Sequence, residues 1–195
     1  MTNTALVIVD VQNDFCEGGA MGVQGGVAVA ASISKLVTAE AASGRWSHIV
    51  LTRDWHYEPG SHWAGPDETP NFIDTWPVHC QAETDGAAFH PSLQVNADET
   101  FSKGQYAACY SGFEGAADTD QTPLDSWLQE RGITRVEVVG VATDHCVLAT
   151  ARDAVQAGFH TSVLVDHCVG VAADSTKAAL TLMAEAGIEL ITTSI

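Results

Sequence analysis

The stretch VEVVGVATDHCVLATARDAV, residues 136–155, decides the fold class of this chain. Its first part is nearly all valine, as in a strand buried on both faces, and its second part has the apolar spacing of an amphipathic helix. Thr143 and Asp144 lie between the two parts and are good N-cap residues, so they predict the start of the helix. A strand that runs directly into a helix is typical of α/β proteins with a parallel sheet.

The same alternation of strand and helix patterns continues on both sides of this stretch. Apolar, β-branched runs predict strands, and apolar residues at three- and four-residue intervals, mostly ended by a glycine, predict helices. The predicted strands are residues 5–9, 48–52, 99–103, 136–141, 162–166 and 188–193, and the predicted helices are residues 27–43, 123–131, 145–157 and 175–186. We therefore expect a three-layer, doubly wound α/β fold, Rossmann-like, with a mostly parallel sheet of about six strands and helices on both faces.

The length of the chain predicts a single domain over residues 1–195. With 195 residues, of which 46% are hydrophobic, the chain is long enough to bury a substantial core. One irregular segment, at about residues 54–110, lacks a helical period and is rich in Gly, Pro, His and Trp. Loops of that length in a compact domain are usually functional, so we expect binding residues there.

Charge and composition exclude several classes of function. The chain has 8 Lys and Arg against 25 Asp and Glu, a formal charge of −17, so it has no basic face for nucleic acid. No segment approaches the ~18 apolar residues of a membrane span, and the N-terminus does not resemble a signal peptide. Five cysteines without paired spacing argue against a disulfide scaffold or a zinc finger. We expect a cytoplasmic protein that binds neither nucleic acid nor membrane.

Cys146 is the candidate nucleophile because it falls in the first turn of a predicted helix. The positive end of the helix dipole, helped by a lysine, is expected to lower the pKa of the thiol and favour the thiolate. The same turn directs backbone N–H groups towards a developing oxyanion. The neighbouring His145 is expected to point elsewhere on the helix. Position alone leaves both acyl transfer and redox chemistry open.

Two charged residues end other predicted strands. Asp10 follows the first strand and Lys103 ends the strand at residues 99–103. Parallel sheets bind ligands at the carboxyl ends of their strands, so both residues are candidates for the site of Cys146. Taken alone, Asp10 also fits a turn cap. Lys103 also fits a solvated surface residue.

A transition-metal site is predicted after the second strand. Asp54 and His56 are two residues apart, so in extended backbone their side chains point the same way, and the Pro59-Gly60 turn can bring His62 towards them. His79 lies on the same irregular segment. Oxygen and nitrogen donors without a thiolate suit Fe(II), Mn(II), Zn(II) or Co(II). The alternative is that these histidines are solvated loop residues.

Six ordered motifs resemble the nicotinamidase/pyrazinamidase family within the isochorismatase-like cysteine hydrolases. They are VIVDVQNDFCEGG, TRDWHYEPGSHW, DTWPVHC, FSKG, YSGFEG and GVATDHCV, and they span nearly the whole chain. The resemblance implies hydrolysis of nicotinamide to nicotinate and ammonia through a cysteine thioester, and the implied partner is therefore a small-molecule substrate. Turnover of pyrazinamide to pyrazinoate is expected as well.

The resemblance also implies a role for each candidate residue. The implied catalytic triad is Asp10, Lys103 and Cys146, and the implied oxyanion hole consists of the backbone N–H groups of Ala142 and Cys146. The Val141-Ala142 bond matches a position that is cis in relatives. One divalent metal ion (Fe²⁺, Mn²⁺ or Zn²⁺) is implied at Asp54, His56, His62 and His79, and substrate-binding aromatic residues are implied at Phe15, Trp76 and Tyr110.

Three alternatives remain at this stage. The first is a related cysteine hydrolase on the same fold that acts on another amide or a ureido substrate. The second is a non-catalytic nucleotide binder, although no G-x-G-x-x-G opens a helix after the first strand. The third is a metal-stabilised interaction domain. The sequence leaves the metal and the oligomeric state, monomer or homo-oligomer, open.

Overall fold

The computed structural model describes residues 3–192, which form strands and helices in the predicted alternation. The strands are β1 (Thr4–Val9), β2 (His48–Asp54), β3 (Glu99–Lys103), β4 (Ala116–Ala117), β5 (Arg135–Val141), β6 (His160–Val169) and β7 (Glu189–Ile191). The helices are α1 (Gly26–Glu40), α2 (Leu124–Glu130), α3 (Leu148–Gln156) and α4 (Ala173–Glu185). Thr193, the last residue of the predicted final strand, lies outside the described residues.

The strands form one sheet in the order β4-β3-β2-β1-β5-β6-β7. The pairs from β3 to β7 are parallel, and β4 runs antiparallel to β3. The predicted mixed α/β fold with a mostly parallel sheet is confirmed. The sheet has seven strands where the sequence predicts about six, because β4 contributes only two alanines and is too short to produce an apolar pattern.

Strand β1 shows how the sheet separates two cores. All six of its residues are buried, and alternate side chains point to opposite faces of the sheet. Val7 and Val9 pack in a core with α2, α3 and α4, whereas Leu6 and Ile8 pack in a second core with α1. Burial on both faces explains why the sequence of this strand is a continuous apolar run.

The topology places the candidate residues at one edge of the sheet. Strands β1, β2, β3 and β5 are parallel neighbours, so their carboxyl ends lie side by side and the segments that follow them meet there. Asp54 pairs with Lys103 in the β2–β3 register, and Asp10 continues directly from β1. Within residues 3–192, no helix combines the length and the apolar character needed to cross a bilayer.

Candidate active site

Asp10 occupies an unusual backbone position just beyond β1. Its φ is 50°, in the left-handed region that few residues other than glycine, asparagine and aspartate adopt. The side chain is fully buried, and its Oδ1 accepts a hydrogen bond of 2.6 Å from Thr52 Oγ1. The strand end and the threonine together aim the carboxylate at the edge of the sheet where β3 and β5 also end.

Lys103 is a fully buried ammonium at the end of β3. Its Nζ lies 2.9 Å from Asp10 Oδ2 and 3.8 Å from Cys146 Sγ, and it also forms an ion pair with Asp54 Oδ1. Burial disfavours the charged ammonium, but Asp10 and Asp54 more than compensate and hold the pKa of Lys103 well above its usual value. Lys103 is therefore charged, and the structure brings it together with Asp10 and Cys146 as one group.

Cys146 lies in a widened helical turn that connects β5 to α3. Residues Thr143–Val147 form a π-helical turn in which Val147 N donates to Ala142 O over 3.1 Å, and the Val141-Ala142 peptide bond is cis. π-helical turns occur frequently at functional sites. The sequence predicts Thr143 or Asp144 as the helix N-cap, and this prediction is wrong: the turn begins after Ala142, and no side chain caps it.

Asp144 binds the next helix instead of its own. Its carboxylate accepts hydrogen bonds from Val171 N at 3.0 Å and Ala172 N at 3.4 Å, and from the hydroxyl of Ser175. Ala172 is the N-cap position of α4, where backbone N–H groups lack helical partners and favour a negative charge. Asp144 therefore fixes the segment that carries Val171, a residue of the pocket wall, to the turn that carries Cys146.

We expect the Asp144→Ala substitution to lower the free energy of unfolding by about 1 kcal/mol, the usual cost of losing an N-terminal helix cap. Urea denaturation of the metal-free protein measures the change. Asp174→Ala is the matched control, because Asp174 is an exposed acidic residue in the first turn of the same helix. Equal effects of the two substitutions would contradict the capping role.

The expectation that the Cys146 thiol has a low pKa is wrong for this structure. The side chain is buried, and burial raises the pKa of Cys146 well above its usual value even though Lys103 lowers it. Burial also raises the pKa of Asp10, against the lowering effect of Lys103. A neutral thiol therefore stands beside a carboxylate with an increased affinity for a proton. Such a thiol needs a base before it can act as a nucleophile.

Three histidines converge beside this group. One ring nitrogen from each of His56, His62 and His79 lies within 4.8 Å of the others, and all three side chains are buried. Asp54 Oδ2 faces them, at 3.6 Å from His56 Nε2 and 3.9 Å from His79 Nε2. The structure thus brings together the oxygen and nitrogen donors that the sequence singles out, and Asp54 contacts both this cluster and Lys103.

The hydrogen bonds of the histidines fit a bound metal ion. His56 Nδ1 lies 2.5 Å from Gly104 O and His79 Nδ1 lies 2.7 Å from Pro77 O, so each ring carries its proton on Nδ1 and presents Nε2 to the cluster. His56 Nε2 and His62 Nδ1 are buried and have no hydrogen-bond partner among the described residues. Buried polar atoms without partners are costly, and a metal ion would satisfy donors arranged in this way.

Burial keeps the imidazoles of His62 and His79 in the neutral form that binds metals. It lowers the pKa of His62 to about 4, with a further contribution from His79. Burial also lowers the pKa of His79, although Asp54 opposes the shift.

Gly104 makes room for the ring of His56. Its φ is +73°, and a Cβ at this position would lie 2.6 Å from His56 Cε1. Only glycine suits both the backbone conformation and the close contact.

Aromatic side chains enclose a pocket between the histidines and Cys146. Phe15, Trp76 and Tyr110 all line it, and Trp76 Nε1 donates a 2.9 Å hydrogen bond to Tyr110 Oη. The Phe15 ring lies against His79, with 5.6 Å between ring centroids. Val141 and Ala142 also line the pocket, together with Cys146. The pocket is therefore suited to a flat ring with a reacting group directed at the thiol.

Sequence reasoning missed two residues of this site. His145, which we expected to point elsewhere, lines the pocket, where its ring stacks on Tyr110 at 6.4 Å and meets Trp76 edge-on at 5.3 Å. Gln12 is fully buried next to Asp54 and hydrogen-bonds to its backbone. Its position two residues after Asp10, just beyond a strand end, is the only signal in the sequence that points to it.

The fold and the site define a class: α/β proteins that group a cysteine, a lysine and an aspartate beside a histidine cluster at the carboxyl edge of a parallel sheet. The family model described as the isochorismatase domain matches residues 4–195. The chain therefore belongs to the isochorismatase family, which is a family of hydrolases.

Within the family, the chain is similar to individual proteins that are named nicotinamidases or pyrazinamidases. The chain is 53% identical over 191 residues to the nicotinamidase/pyrazinamidase of Mycobacterium tuberculosis, covering 97% of this chain and 99% of that protein. Its fold matches a nicotinamidase/pyrazinamidase structure from Acinetobacter baumannii with a TM-score of 0.85 at 36% identity, covering 98% and 97% of the two chains. It also matches a pyrazinamidase of Pyrococcus horikoshii in complex with zinc, with a TM-score of 0.80 at 35% identity and coverage of 98% and 99%.

Proposed function

We propose that the chain is a metal-containing nicotinamidase that hydrolyses nicotinamide to nicotinate and ammonia and also accepts pyrazinamide. One observation carries the proposal: Lys103 joins Cys146 and Asp10 to Asp54, and Asp54 faces the histidine cluster across the same pocket. The thiol suits attack on a carboxamide, and the cluster suits a metal ion that holds a ring nitrogen. The similarity to the Mycobacterium tuberculosis enzyme supports the same substrate class.

The first half of the reaction forms a thioester. Asp10 removes the proton from the Cys146 thiol, and Sγ attacks the carboxamide carbon. Backbone N–H groups of Ala142 and Cys146 donate to the oxyanion of the tetrahedral intermediate. Asp10 then returns the proton to the amide nitrogen as the C–N bond breaks, so ammonia leaves and the acyl group remains on sulfur. Lys103 keeps its positive charge and stabilises the thiolate.

The second half of the reaction returns the enzyme to its resting state. Asp10 is again a carboxylate after ammonia leaves, so it can remove a proton from a water molecule that attacks the thioester carbon. The C–S bond breaks, the proton passes from Asp10 to Cys146 Sγ, and the product leaves as nicotinic acid, which ionises to nicotinate by releasing its carboxyl proton to solvent. The raised pKa of Asp10, caused mainly by burial and opposed by Lys103, suits a group that holds a proton between these steps.

The residues proposed to hold the metal ion are Asp54, His56, His62 and His79. A bound Fe²⁺, Mn²⁺ or Zn²⁺ would supply a Lewis acid that orients the pyridine or pyrazine ring through its nitrogen. Zinc is the metal named for the Pyrococcus horikoshii relative. Phe15, Trp76 and Tyr110 flank the ring, which directs the carboxamide at Cys146.

An ammonia-release assay tests the proposed function directly. Metal-free protein would be reconstituted separately with iron, manganese and zinc and assayed with nicotinamide, with pyrazinamide, and with a ureido compound as the competing substrate class. At a nicotinamide or pyrazinamide concentration below KM, we expect much faster ammonia release from the metal-loaded samples than from the metal-free protein. Turnover of the ureido compound alone would replace this proposal with the related-hydrolase alternative.

The His56→Ala substitution is expected to remove the metal and mainly weaken substrate binding. The loss of a second-shell partner alone lowers metal affinity ~10–100-fold, so the loss of a ligand should lower it by more than about 100-fold. We expect KM for nicotinamide to rise by a larger factor than kcat falls, since the triad remains intact. Metal content by elemental analysis and steady-state kinetics measure both effects.

His160→Ala is the matched control for this experiment. His160 is an exposed imidazole at the opposite end of the sheet, at the start of β6, so its loss should leave metal content and KM unchanged. A His56→Ala protein that retains stoichiometric metal and wild-type KM would show that the histidine cluster is not the metal site.

A further inference from the structure

The side chain of Gln12 has a buried position that its polarity alone does not explain. It is fully buried, and a buried amide is costly unless it is hydrogen-bonded. Its hydrogen bonds go to main-chain atoms: Oε1 accepts from Asp54 N at 2.9 Å, and Nε2 donates to Asp54 O at 2.8 Å and to Ala87 O at 2.9 Å. Two of these three hydrogen bonds therefore fix the main chain of a single residue, Asp54.

The Gln12 amide takes the place of a neighbouring strand. The chain leaves the regular β1–β2 pairing after Asp10 N, which donates to Thr52 O over 3.2 Å. Gln12 then pairs with both the N–H and the C=O of Asp54, as a strand residue would. On the opposite side, Asp54 pairs with Lys103 of β3. The hydrogen bond on that side is made by the next residue, since Trp55 N donates to Lys103 O over 2.9 Å, so the end of β2 is held from both sides.

The position of Asp54 matters because its two carboxylate oxygens have different partners. Oδ1 forms the ion pair with Lys103, while Oδ2 faces His56 Nε2 at 3.6 Å. A rotation of the Asp54 main chain would move one oxygen away from its partner. We propose that Gln12 is a positioning residue that orients the Asp54 carboxylate between Lys103 and the metal-binding histidines. The inference rests on the proposed function, since it assigns Asp54 to the metal site.

The Gln12→Met substitution tests the proposal, because methionine has a similar size and cannot form the three hydrogen bonds. The readouts are cobalt affinity, measured by competition with a chromophoric chelator, and the visible absorption spectrum of the cobalt-loaded protein. We expect affinity to fall by about 10-fold or more, as for second-shell partners of metal ligands, and the cobalt spectrum to change. Gln12→Asn provides a second variant that retains the amide one methylene short of Asp54, and we expect the same two effects.

Asn13→Ala is the matched control. Asn13 Nδ2 donates over 2.7 Å to Asp85 O, in the turn that includes Ala87, and it does not bond to Asp54. This variant should lose some thermal stability but keep cobalt affinity within about 2-fold and an unchanged spectrum. Wild-type affinity and spectrum in Gln12→Met or in Gln12→Asn would overturn the proposal and leave Gln12 a purely structural residue.

The outcomes also separate this proposal from the proposed function. Wild-type protein that binds cobalt but releases no ammonia from nicotinamide would overturn the substrate assignment alone, and the comparison of cobalt affinities would still decide the role of Gln12. Wild-type protein that binds no cobalt would overturn both, since Asp54 would then have no metal to bind.

Discussion

Replacement of Cys146 by alanine is expected to reduce ammonia release from nicotinamide by about 10⁴-fold or more while the protein stays folded. Removal of the nucleophile from a covalent hydrolase leaves only the contributions of binding and of the oxyanion hole. The removed sulfur is small and lies beside the pocket, so we expect only a modest loss of stability. Steady-state ammonia release and thermal unfolding of the metal-loaded protein measure the two quantities.

Cys168→Ala is the matched control for this substitution. Cys168 lies on β6, and its Sγ contacts Leu164 O at 3.5 Å, within its own strand. The same loss of one thiol there should keep kcat within about 2-fold, because Cys168 does not line the pocket around Cys146. If Cys146→Ala releases ammonia as fast as this control, the cysteine mechanism is wrong.

The neutral state of the Cys146 thiol indicates how the proposed nucleophile is formed. A preformed thiolate would react with an alkylating agent without help, but burial keeps the pKa of Cys146 high in spite of Lys103. The proposed mechanism therefore generates the nucleophile during the reaction, by transfer of the thiol proton to a base within the site. In the proposed mechanism Asp10, Lys103 and Cys146 act as one unit, so removal of any member should cost most of the activity.

The order of strands and helices could be predicted from the sequence because burial on both faces imposes continuous apolar runs. β1 is the clearest case, with all six residues buried. Strand length was harder to predict. β6 extends over His160–Val169, beyond the predicted residues 162–166, because Cys168 and Val169 still pair with β5 through the main chain. The polar residues Asp166 and His167 interrupt the apolar run before them, whereas main-chain pairing does not depend on the side chain.

The proximity of the candidate residues in the site could also be predicted from the pattern of strands. Asp10 and Lys103 each end a strand, and parallel strands bring their carboxyl ends to one edge of the sheet. The partners of Asp144 and the pKa of Cys146 could not be predicted in this way. Asp144 binds main-chain atoms some 27 residues later in the chain, and the pKa depends on how deeply the finished fold buries the thiol. Both are properties of tertiary packing.

The choice of substitution matters for the two charged members of the proposed triad. Lys103 is fully buried between Asp10 and Asp54, so Lys103→Ala would leave two buried carboxylates without their counter-charge. Breaking a buried ion pair in this way costs about 3–5 kcal/mol, and a loss of activity in Lys103→Ala would then report on folding as well as on chemistry. Asp10 offers a cleaner test, because Asp54 remains as a counter-charge for Lys103.

The Asp10→Asn substitution is expected to lower kcat by about 10³-fold with little change in stability. Asparagine keeps the shape of the side chain and can still accept the hydrogen bond from Thr52 Oγ1, but it cannot take a proton from Cys146. Loss of a general acid–base group costs ~10²–10⁴-fold, and in the proposed mechanism the same group serves both halves of the reaction.

Thr52→Val is the control for Asp10→Asn. It removes the hydrogen bond to Asp10 Oδ1 but keeps the carboxylate, so kcat should fall less than about 10-fold. Steady-state kinetics and thermal unfolding of both variants make the measurement. An Asp10→Asn enzyme with more than a tenth of wild-type kcat would mean that another group accepts the thiol proton.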